Sequence, residues 1–149
     1  MYSKYVFSGH ESFSCRMLWP IKGYDYINDG NSFNDPNSVI MLGVGKNMVA
    51  SIRYWLKALG LTEHDKPSTL AKYLFDEAQG KDRDLESLGT LWLLHFLLVV
   101  LNEATLYNIL FLRYQKERKQ FAKEQVLNFV KRLMAEDDRV KHFNSNTVG

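Results

Sequence analysis

Apolar residues recur at intervals of three and four along most of the chain, the period of helices laid on a core. The clearest stripe is Val49, Ile52, Leu56 and Leu59, with Trp55 alongside. It predicts a helix from Lys46 to about Leu59, ended by Gly60. Residues 1 to 15 lack this period; "YVF" reads as a short strand and "SGHES" as a turn. From Cys15 to Ile27 the pattern is helical, and the helix either kinks at Pro20 or begins there. The turn formers of "NDGNSFNDPNS", residues 28 to 38, end it. Asp35 as cap and Pro36 in the first turn predict a short helix to about Leu42, broken by "GVG". A polar loop, "TEHDKPS", leads to Ser68, which caps a helix holding Leu70, Ala71, Leu74 and Phe75. After the charged linker "DEAQGKDRD", residues 76 to 84, three more helices are expected at about 86–102, 104–118 and 123–137. The end, "HFNSNTVG", is polar. No internal repeat or low-complexity run is visible.

The most apolar run is "LGTLWLLHFLLVVL", residues 88 to 101. It is short for a bilayer span and contains His95, so it reads as a buried core helix. Trp92, Phe96, Tyr107, Phe111 and Tyr114 then read as aromatic core or interface positions. The 149 residues suffice for one compact domain or two very small ones, and 46% hydrophobic content supplies a core. Cys15, the lone cysteine, excludes an internal disulfide, and no zinc-ligand spacing is present. With no apolar segment resembling a signal peptide near the start, a cytoplasmic protein is expected. No cofactor, metal or membrane partner is expected. A net charge of +2 decides nothing about nucleic acid; local arrangement must.

"GVGKN" admits two chemistries. A triphosphate-binding loop needs G-x-x-x-x-G-K-[ST] after a strand. Here Ile40 stands at the first glycine position and Asn47 at the hydroxyl position, and a capped helix precedes. A helix-turn-helix fits better. Gly43 supplies the turn residue with positive φ, Leu42 and Val44 pin the helices, and Val49 and Ile52 turn inward. Ser38 departs from the pattern, at a place that is usually apolar. Lys46, Asn47, Ala50, Ser51 and Tyr54 then face away from the core, flanked by Arg53 and Lys57. The expected DNA contacts are Lys46, Asn47, Ser51, Arg53, Tyr54 and Lys57, with Lys46 on phosphate or guanine and Asn47 on adenine. From Gly43 to Gly60 there are basic residues and no acidic one. The continuation "LKALGLT" resembles a winged helix with a small wing whose tip, Glu63 to Pro67, contains Glu63 and Asp65. The competing interpretation is a helical hairpin with a solvated basic face that binds only protein.

Two further segments carry chemistry. "FSGHESFSCR" gathers Ser8, His10, Glu11, Ser12 and Cys15, and a Cys–His pair can form a nucleophilic site. No oxyanion hole or ligand set accompanies them. The expectation is structural: His10 and Glu11 bond backbone groups and fasten the N-terminal arm, and Cys15 is a small buried hydrophobe. "RYQKERKQFAK" places Arg113, Lys116, Arg118, Lys119 and Lys123 against a single acid, Glu117. It is either a solvated helix end or a secondary basic patch for phosphate.

"FSGHESF", a tryptophan-containing helix ending "KGYDYI", "LGVGKNMVASIRYWLKALGL" and "LGTLWLLHFLL", in that order, resemble an uncharacterised bacterial domain family of unknown function. That family's genes sit beside enzymes similar to phosphoadenosine-phosphosulfate reductases and beside cysteine desulfurases. The resemblance implies a DNA phosphorothioation or anti-phage defence setting, and it transfers no catalytic residue. Its members look longer than this chain.

The expected architecture is mostly α. A winged-helix, helix-turn-helix-like DNA-binding module over residues 1–75 packs on an α-helical unit over 84–140. Residues 141–149 form a tail that resembles the start of a further segment. The expected function is that of a non-enzymatic accessory protein binding double-stranded DNA, plain or phosphorothioated, alongside proteins of the same defence system. The alternatives are an adaptor that docks sulfur-transfer enzymes or forms a homo-oligomer through its aromatic C-terminal helices, and an enzyme using His10, Glu11 and Cys15.

Overall fold

A computed structural model describes residues 5–120 and 122–136. It is mostly helical, and the chain divides into two compact units. One comprises Gly9–Leu97; the other joins the N-terminal residues through Ser8 to the chain from Leu98 onward.

In the first unit, α1 spans Trp19–Asn28 with Pro20 in its opening turn, where a missing N–H costs nothing. The helix therefore begins at the proline rather than kinking there. The next helix, α2 (Ser38–Leu42), starts later than the Asp35-Pro36 signal suggests. Asp35 instead closes a turn ahead of it, its carboxylate accepting from the Asn37 N–H at 2.7 Å. Gly43 ends α2, and α3 runs Lys46–Ala58. Val49, Ile52, Trp55 and Leu56 of this helix are buried, as are Tyr24, Ile27, Leu74 and Phe75, and together they belong to the core of this unit.

Beyond α3, the segment expected as a polar loop forms a hairpin, β1 (Thr62–Glu63) paired antiparallel with β2 (Lys66–Pro67). Thr62 faces Pro67 and Glu63 faces Lys66, leaving His64 and Asp65 as the two-residue turn. Both turn residues have positive φ, 51° and 59°, which matches the right-handed twist of the strands. Ser68 caps α4 (Thr69–Phe75) by accepting from the Ala71 N–H at 3.1 Å, and it donates to the Gly60 carbonyl at 2.8 Å.

The boundary between the units falls inside α5 (Leu88–Val100). This corrects the expectation of a buried core helix. Thr90, Leu94, Leu98 and Val99 are buried, but Leu88, Trp92 and Phe96 are 68%, 65% and 59% exposed. Its apolar composition does specify a helix; it does not specify cover on every side. Among the described residues no single helix is long and apolar enough to cross a membrane.

In the second unit, Ile109, Tyr114, Val126, Phe129 and Val130 form the core, with Tyr5 and Phe7 packed against it. Residues 5–7 are not a strand, but Val6 exchanges two hydrogen bonds with Thr105, at 2.7 and 3.0 Å. The helix expected over 104–118 is interrupted: α6 (Thr105–Ile109) passes through a π-helical turn, Leu110–Tyr114, into α7 (Gln115–Glu117). The last helix, α8, is Lys123–Ala135.

Candidate nucleic-acid interface

The turn between α2 and α3 rests on Gly43, which sits in the left-handed region at φ 61°, ψ 35°. A Cβ there would meet no atom within 4 Å, so the demand for glycine is one of backbone conformation alone. The Gly43 and Val44 N–H groups donate to Ile40 and Val39 carbonyls. From α1, the Lys22 ammonium donates to the Leu42 carbonyl at 2.9 Å, placing a cation at the C-terminal end of α2. Gly45 is extended and caps α3 without a side-chain bond, and no acidic residue lies in the first turn. The Met48 and Val49 N–H groups both donate to the Gly45 carbonyl, and the Lys46 and Asn47 N–H groups have no side-chain cap at this positive end of the helix dipole.

The core stripe of α3 is as the sequence period predicts, but the buried face is wider. Ser51 was expected to face outward; it is fully buried, and its hydroxyl donates to the His10 carbonyl at 2.9 Å. Arg53 was expected on DNA. Its guanidinium instead grips Asp65 at the hairpin turn, through a 2.8 Å bond from Nε and an ion pair from Nη2, and reaches Asn34 at 3.0 Å. Hydrogen bonding to Asp65 pushes the Arg53 pKa further up. Tyr54 is half-buried; its ring lies 5.7 Å from that of His10. Lys46, Asn47, Ala50 and Lys57 are exposed. Lys46, Ala50, Arg53 and Lys57 share one side of α3 by helical period. Lys46 and Lys57 are about 16 Å apart along the axis, comparable to the roughly 12 Å width of the major groove. Exposed Lys66 lies on the hairpin; its signal in the sequence was the turn pair His64-Asp65.

The segment around His10 forms the flank of this surface. Gly9 (φ 128°) passes so close to Tyr54 that a Cβ would lie 2.6 Å from its Cδ2. Glu11 and Ser12 also have positive φ, at 48° and 65°. The Phe13 carbonyl accepts from the Trp55 indole at 2.9 Å. The arm is therefore fastened by its own carbonyls, not by the His10 and Glu11 side chains as expected. Glu11 is exposed, and His10 Nδ1 is buried without a hydrogen-bond partner. Cys15, expected to be buried, is only half-buried; partial burial still pushes its thiol up to about 11, which keeps it protonated at neutral pH. Among the described residues no group of three or more His, Cys, Asp or Glu is arranged to hold a metal ion.

The secondary basic patch lies in the other unit. Lys116, Arg118, Lys119 and Lys123 are exposed and Arg113 is half-buried. Glu117, the acid among them, is paired with Arg132 at 3.0 Å.

No curated protein sequence matches the chain. Two solved structures do, "Magnesium ion-bound SspB crystal structure" and "SspB crystal structure", each at 27% identity over 96% of this chain, with TM-scores of 0.79 and 0.77. The chain spans 46% of the length of each SspB chain. Residues 7–149 match the family described as "Protein of unknown function (DUF4007)", and the chain belongs to that family.

Proposed function

We propose that this chain is a non-enzymatic, cytoplasmic DNA-binding module of a prokaryotic DNA phosphorothioation or anti-phage defence system. The observation that carries it is the exposed leading edge of α3. Lys46, Asn47 and Ala50 stand beside uncapped helix N–H groups, just after a left-handed glycine turn, with no acid in the first turn. A helix entering the major groove needs such an edge: cations and free N–H groups for phosphate, a short amide for base edges, and a small residue for close approach. On this reading α2, the Gly43 turn and α3 act as a helix-turn-helix, and the β1–β2 hairpin acts as a small wing. The defence setting rests on the ordered sequence motifs and is consistent with membership of a family of unknown function. Lys46, Asn47 and Lys57 face DNA. Arg53 is a positioning residue, and Ser51 and Tyr54 hold the N-terminal arm.

The test is a gel shift at low salt on matched plain and phosphorothioated duplexes. Wild type shifts at least one of them, and Lys46→Glu with Lys57→Glu does not. A wild-type protein that shifts neither duplex ends the proposal. The adaptor reading draws on a separate observation, the exposed apolar side of α5.

A further inference from the structure

The row Lys46, Ala50, Arg53 and Lys57 on α3 fixes where the tip of the β1–β2 hairpin stands. Arg53 lies within that row, and its guanidinium holds the Asp65 carboxylate in the hairpin turn. The tip is thereby tied to the side of α3 that carries Lys46 and Lys57. Asp65 turns its charge onto Arg53, so it does not oppose an anion at the tip. Its chain neighbours, His64 and Lys66, are both exposed. The turn asks only that residue 64 accept a φ of 51°, and Asn serves there as well as His. What histidine adds is a charge that appears between pH 8 and 5. The hairpin packs on α1, α3 and α4. On α1, Asp25 is paired with Arg83, and Lys22 donates to the Leu42 carbonyl. Lys46 and Lys57 on α3 and Lys72 on α4 are basic and exposed. Glu63, the other carboxylate of the hairpin, is exposed directly across from Lys66, where opposite charges offset each other. Carboxylates, phenols, ammonium and guanidinium groups ordinarily keep their charge state from pH 6 to 8; an imidazole does not.

We propose that His64 is a contact to duplex phosphate that strengthens when the ring is protonated, so that DNA affinity rises in mild acid. The inference rests on the reading of α3 as the DNA-facing helix. Protonation makes both ring nitrogens donors and adds a positive charge. A phosphate at the hairpin tip prefers that form to the neutral ring. Binding therefore draws a proton onto His64, and the contact adds to those of Lys46, Lys57 and Lys66.

The experiment measures fluorescence anisotropy of a short plain duplex titrated with the intact chain at pH 6 and at pH 8, across a salt series. Wild type is compared with His64→Asn, which keeps the left-handed turn and removes the titrating group. Wild type is expected to bind about two- to fivefold more tightly at pH 6, the gain of one exposed ion pair. Its salt slope should be steeper there by up to about one. His64→Asn should bind equally at the two pH values, and His64→Lys should bind at pH 8 as wild type does at pH 6. A gain in acid that persists in His64→Asn belongs to another group and overturns the proposal. So does wild-type binding that is the same at both pH values. A duplex bound by none of the three proteins at either pH removes the α3 reading, and this contact with it.

Discussion

At the scale of the residue, exposure along α3 separates side chains that can touch a ligand from those that hold the surface together. Lys46, Asn47 and Lys57 are on the water side. Arg53 has the same charge but is engaged by Asp65 and Asn34. The two classes differ in their salt dependence. Lys46→Ala should lower the magnitude of the salt slope of DNA binding by about one, the signature of one lost phosphate contact. Arg53→Ala should weaken binding with the slope nearly unchanged, because it releases the hairpin rather than a counterion. Fluorescence anisotropy titrations across a salt series distinguish them, and equal slope changes would place Arg53 on phosphate after all. Cys15 gives a second prediction. With its thiol pushed up to about 11 by burial, its thiolate is scarce at pH 8. Alkylation there should be on the order of a hundredfold slower than for a free cysteine; a rate near that of free cysteine would contradict the burial. Ser51 was not legible in the sequence. Periodicity turns it away from the core stripe of α3, and the structure buries it against the arm, whose His10 carbonyl accepts its hydroxyl. A contact between residues so distant in the chain leaves no trace in local spacing.

At the scale of the element, the turn and the caps carry the register. Gly43→Ala should cost about 1 to 2 kcal/mol, since L-residues resist the left-handed region. No clash adds to that cost, as the space around a Cβ is open. Gly43→Asn should recover part of it; thermal unfolding of the two variants checks the order. Asp82 stabilises the start of α5. A hydrogen bond with Thr90 lowers its pKa, burial opposes this, and bonds from the Glu86 and Ser87 N–H groups add to the lowering. Because its folded pKa is depressed, its contribution is present above the ordinary carboxylate pKa and is lost as pH falls through the folded value. Asp82→Asn should therefore lower Tm at neutral pH, and the gap to wild type should close in acid. A gap that stays constant with pH would show that the carboxylate charge does not stabilise the start of α5. The helices α1, α3 and α4 were legible because their stripes, proline and Ser68 cap are local signals. The hairpin was less so, since two-residue strands are too short to show a period. Burial of α5 was misread because apolar composition on all sides ordinarily accompanies full burial. Here one side is uncovered, and the sequence of a helix does not say what lies beside it.

At the scale of the molecule, charge is unevenly divided. Residues 9–97 carry two more acids than bases, and the remainder carries four more bases than acids. The unit bearing α3 therefore does not attract DNA by its net charge. On the proposed reading, affinity comes from Lys46, Lys57, Lys66 and the helix N-terminus acting locally. That predicts binding with few phosphate contacts and a shallow salt dependence. The most direct measurement is the equilibrium affinity of the intact chain for a short duplex, by fluorescence anisotropy, from low to physiological salt. Binding is expected at low salt with a logarithmic slope of roughly −2 to −4, as two to four phosphate contacts give, and its loss is expected in Lys46→Glu with Lys57→Glu. Absence of binding at the lowest salt, or an affinity indifferent to salt and to both substitutions, would contradict the DNA-binding reading.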